Sequence, residues 1–98
     1  MAYLELTLMI SMANRKAANE VFRKYKPLFL KSIKGATSAE VDVRPYEMRI
    51  VHGFDSLQSA IGYARHELLT SHISKRLRPL AFEEISLRIY TEALGAQQ

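Results

Sequence analysis

An α+β fold is predicted by this sequence: a four-stranded antiparallel sheet with two helices on one of its faces, in the order β-α-β-β-α-β. Three observations carry that prediction. Apolar residues alternate with polar ones near residues 3–12, 39–52 and 85–90, the period of a half-buried strand. Between them lie two stretches, 14–33 and 57–68, in which apolar residues recur at steps of three and four, as on one face of a helix. The chain is also too short for more than one core.

The first strand places Leu4, Leu6, Leu8, Ile10 and Met12 on one side and Tyr3, Glu5, Thr7, Met9 and Ser11 on the other. Asn14 is the expected cap of the first helix, whose stripe is Ala18, Val21, Phe22, Tyr25, Leu28, Phe29 and Ile33, with Gly35 as its stop. Pro27 lacks the N–H that the helical ladder needs, so a kink or break is expected near Tyr25–Lys26. Residues 39–43 and 46–52 form a hairpin about Arg44-Pro45, with Val41, Val43, Met48 and Ile50 on one face. Asp55 followed by Gln58 resembles a capping box for a second helix with the stripe Leu57, Ala60, Ile61, Ala64 and Leu68. Ile73, Leu77 and Leu80 continue or restart it before Pro79 stops it, and Ile85, Leu87 and Ile89 mark the last strand. Residues 1–94 form one ferredoxin-like domain on this reading, 95–98 a flexible tail, and the core is expected around Leu6, Leu8, Phe22, Phe29, Leu57 and Ile61.

The 98 residues include 14 Lys+Arg and 10 Asp+Glu, for a formal charge of +4, and 48% are hydrophobic and 24% charged. Those are globular averages, which exclude a disordered, collagen-like or coiled-coil chain. There is no cysteine, hence neither a disulfide nor a thiolate metal site. The apolar run at the start has no basic region before it and is interrupted by Glu5, unlike an export signal, and no stretch approaches the ~18 apolar residues of a membrane span. A cytoplasmic protein without membrane contact is the expectation. A chain of this size buries only roughly 60–68% of its unfolded surface, which makes a partner chain a natural source of further burial.

The strand face turned away from the helices would carry Tyr3, Glu5, Thr7, Met9, Glu40, Asp42, Glu47, Arg49, Val51, Ser86, Arg88 and Tyr90, too polar for a second core and too aromatic for a plain surface. Such a face meets a ligand, a nucleic acid or another sheet.

The order of elements, the lead Phe54-Asp55-Ser56-Leu57 into the second helix, the exit Leu77-Arg78-Pro79-Leu80 and the closing Leu87-Arg88-Ile89-Tyr90 resemble the dimeric α/β-barrel superfamily over residues 3–92. Its antibiotic-biosynthesis-monooxygenase-like members are the nearest resemblance. It implies a homodimer in which two open sheet faces enclose a cavity, where members variously oxidise, isomerise, degrade haem or only bind. Two functions follow as expectations: a cofactor-independent monooxygenase or isomerase acting on a small anionic or phenolic compound, or a non-catalytic barrel that binds a small ligand or only dimerises. The chain has no Trp, so the Asn/Trp/His arrangement of haem-degrading members is incomplete, and no cofactor is expected.

Glu5, Arg49, Arg88 and Tyr90 are the expected ligand-binding residues. Glu5 lies on a strand that this topology puts beside those of Arg49 and Arg88, and one carboxylate between two guanidiniums leaves a surplus positive charge for an anion. The alternative is a closed network in which Asp42 or Glu47 completes the neutralisation. Tyr3 and Tyr90 either orient a substrate or pack a dimer. None of the three histidines has metal-ligand spacing, and no metal is expected. His66 and His72 fall on solvent faces, whereas His52, beside Gly53, is the one candidate acid/base, although strand parity turns it toward the helices. Residues 13–38 hold seven Lys+Arg against Glu20 alone. The same element order belongs to RNA-recognition motifs, but mid-strand residues Thr7, Leu8, Met9, Arg49, Ile50 and Val51 offer no base-stacking platform. The basic helix therefore reads as a solvated face, and nucleic acid is not an expected partner.

Overall fold

The strand β1 (Ala2–Met9) lies in the middle of a sheet of order β2-β3-β1-β4, with β2 (Ala36–Val43), β3 (Glu47–Phe54) and β4 (Ser86–Thr91), all neighbours antiparallel. This computed structural model describes residues 1–92; the expected tail at 95–98 lies outside them. Leu4, Leu6 and Leu8 of β1 and Met48 and Ile50 of β3 are buried under the helices, as period-2 alternation requires of strands with one covered face. On the bare face Tyr3 stands opposite Gly53 and Tyr90, and Glu5 opposite Val51 and Arg88.

The first helix, α1 (Arg15–Ser32), buries Ala18, Phe22, Tyr25 and Phe29 against that sheet. The break expected at Pro27 does not occur, and α1 runs through it. Proline removes only the bond to the Arg23 carbonyl, and Arg23 and Pro27 both lie on the exposed side, where that carbonyl is not shut away from solvent. Met12, expected inside, is 59% exposed: β1 ends at Met9, and the chain leaves the sheet through a 3-10 turn, Met12–Asn14. Asn14 does not cap α1 with its side chain; its amide instead donates to the Leu80 carbonyl at 3.0 Å.

Gly35 follows α1 at φ 82°, a conformation that disfavours side chains, and its carbonyl accepts from the Asp55 N–H at 2.9 Å. A Cβ there would also crowd the Ser59 side chain and stand 2.7 Å from the Asp55 Oδ1. Gly35→Ala is expected to cost about 1–3 kcal/mol, read from the urea midpoint; an unchanged midpoint would show that this junction relaxes freely.

The second helix, α2 (Leu57–Ala64), is capped by Ser56 rather than by the Asp55–Gln58 box: the Ser59 N–H donates to Ser56 Oγ at 3.1 Å. Its buried residues are Ala60 and Tyr63, while Leu57 and Ile61, expected in the core, are 45% and 42% exposed. The cause is that α2 stops at Ala64, with the Arg65 and His66 N–H groups closing back on Gly62 and Tyr63. A π-helical segment, Leu68–Ile73, then resets the phase, burying Leu68, Leu69 and Ile73 before α3 (Ser74–Leu77) and a 3-10 turn, Arg78–Leu80. Leu87, on the edge strand β4, is 46% exposed although it faces the helical side. Among the described residues no helix is long and apolar enough to cross a membrane.

Candidate functional site

Glu5 stands apart on the bare face because it is buried there at 8% exposure. Central placement on β1, between β3 and β4, encloses it. Its carboxylate accepts from the Arg88 guanidinium at 3.2 Å and from the Thr7 hydroxyl at 3.4 Å. Arg88 also lies over the Tyr90 ring, 4.6 Å from its centroid, and Tyr90 stacks on Tyr3 at 5.4 Å and 29°. Tyr3 in turn donates to Glu92 at 3.1 Å. The sheet register thus assembles a contiguous patch of a carboxylate, a guanidinium and two phenols across two strands.

The phenols stay protonated. Burial is the main cause for Tyr90, with the nearby Glu5 charge next, and for Tyr3 it is the hydrogen bond to Glu92; both push the pKa up.

Arg49 does not share Glu5. It bonds Glu47 of its own strand, two residues away on the same face, and that pairing holds its pKa up. Asp42 is likewise taken by Arg44 at 3.1 Å. The surplus positive charge expected of two arginines sharing one carboxylate is therefore absent, because each has its own acid. Glu5, Glu40, Asp42 and Glu47 stand on this face against Arg49, Arg88 and the Arg44 that pairs with Asp42, so carboxylates are in excess by one.

Solved structures share this architecture. A protein from Bordetella bronchiseptica, provisionally named an antibiotic biosynthesis monooxygenase, superposes with a TM-score of 0.76 at 11% identity, over 95% of this chain and 98% of that one. Proteins from Nitrosomonas europaea and Deinococcus radiodurans with the same provisional name give 0.73 and 0.71, at 11% and 14% identity, over 95% of this chain and 90% and 93% of theirs. The chain has the antibiotic-biosynthesis-monooxygenase-like fold. No protein-family model and no curated protein matches it. At these identities the likeness is one of fold, and residue roles in this chain rest on its own geometry.

Of the five residues singled out from the sequence, Glu5, Arg88 and Tyr90 come together, Arg49 lies on the same face beside Glu47, and His52 is on the other side of the sheet. There His52 is 3% exposed, with its ring 4.4 Å from that of Phe29 and 5.3 Å from that of Tyr63. Burial alone pushes its pKa down to about 4, so the imidazole is neutral. Among the described residues its Nδ1 and the Tyr63 hydroxyl have no hydrogen-bond partner, and burial pushes the Tyr63 phenol up. The surroundings are those of a core histidine, out of reach of the patch on the bare face. His66 and His72 are exposed, and the His66 Nδ1 accepts from the Leu68 N–H at 3.0 Å. Sequence reasoning missed Glu92 and, although it set Thr7 on this face, missed the bond from Thr7 to Glu5. Their signal was present: Thr7 is two residues from Glu5 on the same strand face, and Glu92 two beyond Tyr90.

Proposed function

We propose that the chain works in the cytoplasm as a homodimer, joined bare face to bare face, and that the enclosed space binds a small phenolic compound against Tyr90, Arg88 and Glu5. The observation that carries this reading is the stacked Tyr3–Tyr90 pair flanked by a buried carboxylate and its arginine on a sheet face that no helix or strand among the described residues covers. An aromatic ring extends the stack, and a phenolic hydroxyl donates to Glu5 while Arg88 offers its remaining N–H donors. The excess of carboxylates favours a neutral phenol over a free anion. Arg49, held by Glu47, forms the far wall. Two protomers facing each other should bury at least the ~1,200 Å² of a stable interface.

The word monooxygenase in the names of the solved neighbours favours a catalytic form of the same reading, in which Glu5 accepts the phenol's proton. The phenolate itself supplies the electrons that reduce oxygen, one oxygen atom entering the ring to give a quinone and the other leaving as water.

Light scattering should give twice the 11.2 kDa chain mass, and a monomer at micromolar concentration would end the proposal. Calorimetry with small phenols should show binding that Arg88→Ala weakens at least tenfold while the protein stays dimeric. Binding that is absent, or indifferent to the substitution, would leave the bare face a dimer contact only. Oxygen uptake with the bound phenols, abolished in Glu5→Gln, separates the catalytic form from the purely binding one.

A further inference from the structure

Charge is segregated between the two layers of the molecule. Against the acid-rich sheet face, α1 carries Arg15, Lys16, Arg23, Lys24, Lys26 and Lys31 with Glu20 as its one acid, and residues 65–78 carry Arg65, Lys75, Arg76 and Arg78 with Glu67. Within this basic layer two grooves adjoin. One, of about 470 Å³, is lined by Ser71, His72, Lys75 and Arg76 with no acid among them. The other, of about 450 Å³, runs between the second half of α1 and the π-helical segment, over Leu28, Ile33, Leu68 and the Tyr25 ring. His72 lines both.

Tyr25 ties the two together. Its hydroxyl accepts from Arg76 Nε at 2.7 Å, Lys24 Nζ lies 5.6 Å from its ring centroid, and the His72 ring lies 6.4 Å away. The bond at Nε fixes the guanidinium and leaves the four N–H donors of its two terminal nitrogens free. Among the described residues neither Lys75 nor Arg76 has an acidic partner. Ser71 and Lys75, and His72 and Arg76, are each four residues apart, so their side chains share one arc of the helical surface. Glu67 lines the apolar groove too, which gives that groove an acidic group and leaves the Ser71–Arg76 groove as the place for a negative head. The wall is a π-helical turn, a rare conformation concentrated at functional sites.

We propose that these adjoining grooves form a site for an amphiphilic anion, a small phosphate monoester with an apolar tail. The head sits among Ser71, Lys75 and Arg76, and the tail lies in the slot between Leu28 and Leu68. This site is on the opposite layer from the bare sheet face, so a face-to-face dimer leaves it open, and it stands whether or not a phenol binds there.

The probe is octyl phosphate below its micellar concentration, titrated by calorimetry, with inorganic phosphate and octanol as its two halves. Octyl phosphate should bind at least tenfold more tightly than either half. Lys75→Gln combined with Arg76→Gln should weaken it at least tenfold with the circular dichroism spectrum unchanged, and Lys75→Gln alone, which leaves the Tyr25 bond intact, should weaken it severalfold. Leu28→Gln should reduce binding of octyl phosphate but not of inorganic phosphate. No binding, binding indifferent to the charge substitutions, or inorganic phosphate binding as tightly as octyl phosphate would each overturn the proposal.

Discussion

Phe29→Ala should lower stability by ~3–5 kcal/mol, a large part of what a domain of this size has in total. Phe29 is fully buried at the meeting point of α1, α2 and the sheet, with its ring 5.0 Å from Tyr63, 5.5 Å from Phe54 and 4.4 Å from His52. Truncation removes three aromatic contacts at once and leaves a cavity lined by rings, which cannot close without leaving their rotamers. Ile61→Ala, at 42% exposure, should cost well under half as much. The two urea midpoints measured side by side test the assignment. Equal losses would mean that Ile61 is covered and that the inward face of α2 is not the one through Ala60 and Tyr63.

The second large effect is of pH, through His52. Its pKa is about 4 in the fold against about 6.5 in an unfolded chain. Between those values the unfolded state binds a proton that the folded state refuses, so the stabilisation is complete above pH 6.5 and is lost as pH falls toward 4. A tenfold difference in proton affinity is worth about 1.4 kcal/mol, which makes the loss about 3 kcal/mol. Carboxylates also titrate near the lower end of this window, so the measurement is the difference between wild type and His52→Leu. Between pH 7 and pH 4 the wild type should lose about 3 kcal/mol more than His52→Leu does. Parallel curves would show that His52 takes up its proton in the fold as readily as in water.

Strand patterns were legible because one face of each strand is dry and the other wet. The alternation of Leu4, Leu6 and Leu8 with Glu5 and Thr7 identifies β1 and its inward side at once, and the topology that follows places Arg88 beside Glu5. Parity also turned His52 toward the helices, where it lies. The helical faces were harder to read. Leu57 and Ile61 fit a stripe only if one helix runs from residue 57 to 68, and α2 ends at Ala64 without a proline, the chain turning at Arg65 by backbone bonds alone. Arg49 had three acids within reach, Glu47 on its own strand and Asp42 and Glu5 on the two neighbouring ones, and nothing in the pattern ranks them. In the fold the neighbour two residues away wins, and with it goes the spare positive charge on which an anion site would have rested.

The strand order β2-β3-β1-β4 has a consequence for how the chain is made. β1 is synthesised before the other three strands and is central in the sheet, yet one of its two neighbours, β4, begins at residue 86. At roughly 5–20 residues per second, about 4–16 s pass between the synthesis of the two strands. During that interval β1 can pair only with β3, and its other edge presents unpaired N–H and C=O groups beside Leu4, Leu6 and Leu8. A nascent chain stalled before β4 is complete is therefore an open-edged sheet, competent to pair with the same edge of another nascent copy. The lifetime of that edge is set by translation speed over the last third of the sequence rather than by the stability of the finished fold.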